Sequence, residues 1–520
     1  MAEGTEAFRA TVFALDGDLE ALLALVNAQP IDPNEILFTI YDLLAKDHPL
    51  TEGRMRSAYI LSMVLANSGQ RHPIISIARC LGGIIYGTPE EESAGLQELP
   101  AQMEELPAPM YDTIVHHVLH PVLMYLITLS LGQPDDRRML QTLELLKAVV
   151  APIRAMFDWE APVPTLSLEG LRHQGRERAR LVTLAAPPPG APRSRRRVLM
   201  AQGQSFVPPN QWADNVDVTD RMGIALREYG WEAEAYHMDN TDRAGCCRTI
   251  AELCRERRID ILICDDNVLL EVPQARAEMI ARLKRDNPEI KVVGLLMDAW
   301  TLPEDRLLEQ SRLLDAIWTG DVPSRPIWQR PEFAGKTMQM PMTYQGILPE
   351  DRPWKPLNPQ LFFSGRISGG NWHRAFWLAA SRKWNLPIGA RLSPLILNDG
   401  LTPLDSFRLY MEGLADATCG INFLMRPNHS CAVTGRTYEI IWSGALLVQE
   451  ASPDTCHFLV PGEHYLEFSS IAELAAITRF LAEKPEEAEE IRRAGHAFVR
   501  ERYSNLKIIG QIEKSLYYPD

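Results

Sequence analysis

The sequence predicts an all-helical domain followed by two parallel-sheet α/β lobes, and three observations carry that prediction. Apolar residues recur at three- and four-residue spacing through the first part of the chain. A stretch dense in proline and arginine then breaks the pattern. Beyond it, short apolar runs alternate with amphipathic segments, twice over, with a second proline-rich break between the two series. The chain has 520 residues, more than one core accommodates, since domains usually hold about 100–200.

Residues 1–157 make up the helical domain. The helical spacing is plain in Leu19-Leu22-Leu23-Leu25-Val26, in Ile36-Leu37-Ile40-Leu43-Leu44 and in Tyr59-Leu61-Val64-Leu65. Breaks fall at Pro30–Pro33, Pro49, Gly69–Pro73 and Gly87–Pro89. Thr51 before Glu52, and Thr88 before Pro89-Glu90-Glu91, read as capped helix starts with acidic first turns. The spacing suits a degenerate helical-repeat array of the tetratricopeptide kind. It equally suits an irregular bundle, because the small and aromatic consensus positions of that repeat do not recur.

Residues 158–196 read as a linker or a surface-hugging connector. Pro162, Pro164, Pro187, Pro188, Pro189 and Pro192 deny the chain helical and ladder donors. Arg172, Arg176, Arg178, Arg180 and the run near Arg195 repel one another, and solvated charge is the expectation for them.

The first lobe spans residues 197–348. Its expected strands are Val198–Ala201, Ala233–Tyr236, Asp260–Cys264, Lys291–Met297 and Ala316–Thr319, with helices at Val216–Tyr229, Cys246–Arg257, Pro273–Asp286 and Pro303–Leu313. The second lobe spans residues 349–505. Its expected strands are Leu361–Ser364, Pro387–Gly389, Cys419–Phe423, Ala445–Val448 and Tyr465–Phe468. Two such lobes joined by a hinge bind ligand at the carboxyl ends of their strands.

The bulk chemistry excludes several classes. A net charge of −15 repels phosphate backbones and anionic lipid, so nucleic acid is not an expected partner. The longest apolar stretch, His117–Leu131, is broken by His120, Pro121 and Thr128, short of the ~20 residues that span a bilayer. No integral membrane segment and no signal peptide are expected, and the reading is a cytoplasmic protein. The eight cysteines are scattered without a CxxC pair, which points to reduced, buried thiols rather than disulfides or zinc. The one D-x-D, Asp16-Gly17-Asp18, falls in the helical domain rather than at a strand end, so no metal and no cofactor are expected.

The most informative segment is Gly435-Arg436-Thr437-Tyr438-Glu439-Ile440-Ile441-Trp442-Ser443-Gly444-Ala445-Leu446-Leu447-Val448. Gly435 and Arg436 open a short helix, whose unpaired backbone N–H groups and dipole favour an anion. Arg436 adds a fork of donors matched to phosphate. Glu439, one turn on, is placed to accept hydrogen bonds from two ribose hydroxyls, as an acidic residue does in dinucleotide folds. Alone, an Arg–Glu pair at this spacing is equally an exposed helix pair. The following Phe458-Leu459-Val460-Pro461-Gly462-Glu463-His464 turn and the acidic helix after it favour a nucleotide site.

This segment resembles the nucleotide-sugar-binding half of GT-B glycosyltransferases, nearest to the spore-maturation-type branch related to the retaining family with the E-x7-E motif. That pattern runs loosely R-t-f-E-i-x-a-x-G-x-l-l, then f-x-p-G-x-e-x-x-x-y. The resemblance implies two Rossmann-like lobes (GT-B), a nucleotide-diphosphate sugar as donor in the second lobe, and a C-terminal helix, within residues 506–520, that crosses back to the first. It implies that Glu439 takes the place of the second motif glutamate, while the first would fall at Cys431. GT-B enzymes generally neutralise the diphosphate without metal.

Further candidates lie at strand ends. Gly365 and Arg366, within Phe363-Ser364-Gly365-Arg366, follow the first strand of the second lobe, where small residues admit a diphosphate and a basic one neutralises it. Thr437 joins them on the short helix. Gly203 follows strand one of the first lobe as a backbone-approach loop would. Asp266 and Asp298 end first-lobe strands and are candidates for an acceptor-side base or a sugar-hydroxyl contact, and His429, just before the anion-binding helix, is a candidate contact for phosphate or sugar. The reading is a glycosyltransferase whose helical domain recruits the acceptor, a protein being the class that helical arrays fit. Two alternatives stand beside it: a GT-B protein that binds nucleotide or glycan without turnover, and a helical adaptor.

Overall fold

The structure, a computed structural model, describes residues 2–28, 31–44, 51–106, 110, 144, 156, 158, 161–186, 195–207, 211–214, 217–239, 241–265, 269, 272–297, 304–321, 325–365, 373–392, 402–424 and 433–518. These fall into two compact units. The first comprises residues 1–162, 367–386 and 470–472, and the second residues 163–366, 387–469 and 473–520.

The first unit is helical throughout its described N-terminal part: α1 (Ala2–Leu15), α2 (Leu19–Ala28), α3 (Pro33–Leu44), α4 (Glu52–Asn67), α5 (Pro73–Tyr86) and α6 (Pro89–Glu104). Thr51 caps α4 by accepting from Arg54 N at 3.2 Å. Thr88 and Glu91 form a reciprocal capping box on α6, with bonds of 3.3 and 2.7 Å. Consecutive helices pack closely: a Cβ on Gly82 of α5 would fall 2.0 Å from Cδ2 of Tyr59 on α4. Leu22, Ile40, Leu43, Leu61 and Ile77 are wholly buried between them.

The second unit contains both lobes. In the first lobe β1 (Arg197–Val207), β3 (Glu232–Met238), β4 (Ile261–Asp265), β5 (Lys291–Leu296), β6 (Ala316–Thr319) and β7 (Thr337–Gln339) form a parallel sheet in the order β3-β1-β4-β5-β6-β7. Strand β2 (Gln211–Asp214) pairs antiparallel with the far end of β1. Apolar side chains cover both faces, as buried parallel strands require. Val198, Met200, Ile261 and Ile263 pack on one face, and Leu199, Ala201, Leu262 and Cys264 on the other. Helices α8 (Asp217–Tyr229), α9 (Arg243–Glu256), α10 (Pro273–Asp286) and α11 (Glu304–Ser311) are the crossovers.

The second lobe is a five-stranded parallel sheet of β8 (Leu361–Gly365), β9 (Ile388–Leu392), β10 (Cys419–Asn422), β11 (Leu446–Glu450) and β12 (Leu466–Phe468), in the order β12-β11-β10-β8-β9. Helix α12 (His373–Lys383) falls in the first unit; the helices of the lobe include α13 (Pro403–Ala417), α14 (Gly435–Trp442), α15 (Ile471–Glu483) and α16 (Pro485–Arg502). The core is continuous with the first lobe through Met340, Met342 and Tyr344 of the connecting chain. The last helix, α17 (Asn505–Tyr517), lies against α8: Asn505 Nδ2 donates to Glu228 at 2.8 Å, and Tyr229 bonds Glu513. The two-lobed α/β architecture preceded by helices is the fold class the sequence predicts.

Three elements differ from the expected ones. Strand β1 runs to Val207, because residues 204–207 find a partner in β2. Strand β7 is a three-residue edge strand, too short for periodicity to show. The stretch expected as a linker or a surface-hugging connector contains α7 (Leu168–Arg178), started by Ser167, which accepts from Gly170 N at 3.1 Å. No proline falls inside that helix. After it, Arg180 N and Val182 N donate to the carbonyls of Cys456 and His457 at 2.9 and 2.8 Å, so residues 168–182 form a strap along the second lobe.

Candidate functional site

In an open parallel sheet the crevice lies where neighbouring strands have their connections on opposite faces. In the second lobe that place is between β8 and β10, whose carboxyl ends are Gly365 and Asn422. Helix α14 begins beside them. Its N-cap, Thr434, makes no side-chain cap bond. The Thr434 hydroxyl instead accepts from Asn422 Nδ2 at 3.1 Å.

Asn422 anchors the helix to the sheet. Its Nδ2 also reaches Thr437 Oγ1 at 3.2 Å and Gln449 Oε1 at 3.0 Å, and the Thr437 hydroxyl donates to Gln449 at 2.6 Å. All three side chains are buried. Thr437 thus faces the sheet, where its hydroxyl holds the helix in place. This buried network ties the first turn of the helix to the sheet. On the neighbouring strand, buried Glu450 accepts from Leu424 N at 2.6 Å and fixes the chain leading into residues 425–432.

The other face of α14 carries charge. The half-buried Arg436 guanidinium lies against Gly365, where a Cβ would fall 2.5 Å from Nη2, and its Cζ is 5.4 Å from the centre of the Phe363 ring. Tyr410 of α13 joins Arg436 to Glu439. Its hydroxyl donates to Glu439 Oε2 at 2.8 Å, and the phenol interacts electrostatically with the Arg436 guanidinium. Burial disfavours the Arg436 charge, but Tyr410 and Glu439 outweigh it and the net shift of its pKa is upward. Burial, then the Glu439 carboxylate, pushes the Tyr410 phenol well up, so it stays protonated and able to donate. Gly435 suits a crowded corner: a Cβ there would come 2.9 Å from Glu439 Oε1 and 3.0 Å from the Tyr344 hydroxyl.

The first lobe and the connecting chain reach the same corner. Tyr344 donates to the Gly435 carbonyl at 3.2 Å and stacks on Tyr438. Arg221 of α8 is buried, its Cζ 4.7 Å from the Tyr344 ring centre and 4.5 Å from that of Phe407 on α13.

Of the candidates named from sequence, the structure brings Gly365, Gly435, Arg436 and Glu439 together, with Thr437 beneath them. Gly203 lies within β1, in register with Met238, rather than in a loop after the strand. Asp266, Asp298, Arg366, His429 and Cys431 lie outside the described residues. The Pro461-Gly462-Glu463 turn is covered by the strap: a Cβ on Gly462 would fall 2.7 Å from Arg172 N, and Arg176 pairs with Glu463. Tyr410, Asn422, Gln449, Tyr344 and Arg221 carry no local motif, and sequence reasoning passed over them. Among the described residues no group of three or more His, Cys, Asp or Glu is placed to hold a metal ion. None of their helices is long and apolar enough to cross a membrane.

Residues 398–514, which include Tyr410, Arg436 and Glu439, match the family model described as glycosyl transferase-like. No curated protein matches the chain. Among solved structures the chain is similar to HepE of Anabaena in complex with UDP and glucose, at 10% identity and a TM-score of 0.40, over 62% of this chain and 99% of that one. It is similar to sucrose-phosphate synthase from Thermosynechococcus elongatus at 12% identity and a TM-score of 0.40, over 63% and 100% of the two chains. It is also similar to AviGT4, a glycosyltransferase involved in avilamycin A biosynthesis, at 14% identity and a TM-score of 0.37, over 62% and 98%.

Proposed function

We propose that the two lobes transfer a sugar from a nucleotide-diphosphate donor to an acceptor, with the donor held in the second lobe. The observation that carries this reading is the convergence of Arg436, Tyr410 and Glu439 at the amino end of α14, beside the end of β8. The glycosyl transferase-like match over residues 398–514 supports it independently. In this reading the first N–H groups of α14 and the Arg436 fork take the diphosphate, and Glu439 accepts from the ribose hydroxyls. Arg366 and His429 add donors beside the diphosphate, while Asp298 or Asp266 serves the acceptor as base. Helix end and arginine neutralise the leaving diphosphate without metal.

The acceptor in this reading is a protein recruited by the N-terminal helices, since stacked helices present extended peptide-binding surfaces. Within the class, the pattern around Glu439 resembles the spore-maturation-type branch.

Melting the full chain with UDP, GDP, CMP and dTDP sugars tests the central claim. A bound donor at 100 times its dissociation constant stabilises by about 2.7 kcal/mol, and Glu439→Ala should abolish the shift. Unchanged melting with every donor overturns the reading. Cys431, standing where the motif has glutamate, favours one competitor, a binder without turnover. Donor binding with neither hydrolysis nor transfer would establish that competitor.

A further inference from the structure

Arg436 and Glu439 are three residues apart on one helix, a spacing at which opposite charges ordinarily attract each other directly. Here a phenol from a separate helix bonds the carboxylate. Tyr410 gives a hydrogen bond, at 2.8 Å, to Glu439 Oε2 and interacts electrostatically with the Arg436 guanidinium. Its ring is held by Phe407, 5.7 Å away between centres and on the same helix, and Phe407 in turn lies against Arg221 of the first lobe. The hydroxyl therefore has a position set by packing independent of α14.

A carboxylate serves two vicinal hydroxyls well only when its plane is fixed, and a charge-assisted bond to one oxygen fixes it. We propose that Tyr410 is a positioning residue for nucleotide recognition: it orients Glu439 toward the ribose and thereby makes the site select ribonucleotides over 2′-deoxyribonucleotides. The inference rests on the reading of Glu439 as the ribose acceptor. Tyr410 touches Glu439 and Arg436 rather than the reacting atoms, so its effect falls on affinity and selectivity before turnover.

The test is calorimetric titration of the full-length protein with UDP, GDP and their 2′-deoxy analogues. The wild type should bind one ribonucleotide about tenfold more tightly than its deoxy form, the discrimination that one hydrogen bond to a charged group supplies. Tyr410→Phe keeps the ring on Phe407 and removes only the hydroxyl. It should weaken the ribonucleotide about tenfold and bring the deoxy ratio near one. Tyr410→His, whose ring is too short to reach Glu439, should lower the ratio as Tyr410→Phe does. A structural role alone would lower the melting temperature and leave the ratio untouched, so an unchanged ratio in both variants overturns the proposal. Should Tyr410→Phe fail to fold, the ratio in Tyr410→His decides. The outcomes separate the two claims. If Glu439→Gln weakens binding while the Tyr410 variants bind as wild type, only the role of Tyr410 fails. If the wild type binds no ribonucleotide, the donor-site reading fails with it.

Discussion

The guanidinium of Arg436 packs on the bare backbone of Gly365, with no room for even one more carbon between them. A Cβ on Gly365 would fall 2.5 Å from Nη2 and 2.7 Å from Cζ. The end of β8 and the mouth of α14 are thus fitted to each other across the sheet. Gly365→Ala should push the guanidinium aside. Although the obstructing group is the far end of a flexible side chain, Gly365 sits at φ +159°, which an L side chain rarely adopts, so the fold should also lose about 1–2 kcal/mol. Nucleotide affinity should drop about tenfold, as expected for a displaced charge-assisted contact. Calorimetry on the variant checks this, and wild-type affinity would show that Arg436 serves the site equally well from another position.

The strap makes a second prediction. Gly175 of α7 lies on the Pro461 carbonyl, where a Cβ would fall 2.2 Å from the oxygen. Around it Arg172 donates to the Gly462 carbonyl at 3.2 Å, and Arg176 and Arg178 pair with Glu463 and Glu467. In an isolated helix, Gly→Ala would stabilise by about 1 kcal/mol. Here the obstacle is backbone, which cannot swing away, so Gly175→Ala should destabilise by about 2 kcal/mol. The lifted helix should become sensitive to trypsin at Arg176, Arg178 and Arg180. A variant as stable and as protease-resistant as wild type would mean that α7 is not seated on that turn.

The difference between what the sequence discloses and what it conceals follows from the range of the interactions. Alternating apolar runs and helices are local, and nearly every strand and crossover of both lobes could be read from them. Arg436 and Glu439 were legible for the same reason, being adjacent turns of one short helix. Tyr410 was not, because its contact depends on how α13 packs against α14, and in sequence it is one of two aromatics on an amphipathic helix. The strap was concealed by composition: its arginines suggested solvated charge, whereas several meet carboxylates on the turn and strand beneath. For that reason the Pro461-Gly462-Glu463 turn, read as part of a nucleotide site, carries a helix on its backbone. Gly203 shows the converse error, since its pairing with β3 and that of residues 204–207 with β2 carry the strand past the apolar run.

His464 gives the second unit a defined acid sensitivity. It follows the same turn, is 8% exposed, and stacks on Phe498 with ring centres 3.9 Å apart. Its Nδ1 accepts from Val460 N at 3.0 Å, a bond only the unprotonated nitrogen makes. Burial lowers its pKa from 6.5 to about 4. The unfolded chain therefore binds this proton more readily than the folded one below pH 6.5. The stabilisation is complete above that pH, is lost as pH falls toward 4, and changes no further below it. The shift corresponds to about 3 kcal/mol. His496, whose pKa burial also lowers, adds to the loss in the same direction. Urea unfolding of wild type and His464→Gln between pH 7.5 and 4, along with the carboxylate background common to both, measures it. Glutamine offers Val460 N an uncharged acceptor, so the variant should lose less stability on acidification by about that amount. Parallel curves for the two proteins would mean that His464 accepts its proton in the folded state as easily as in the unfolded one.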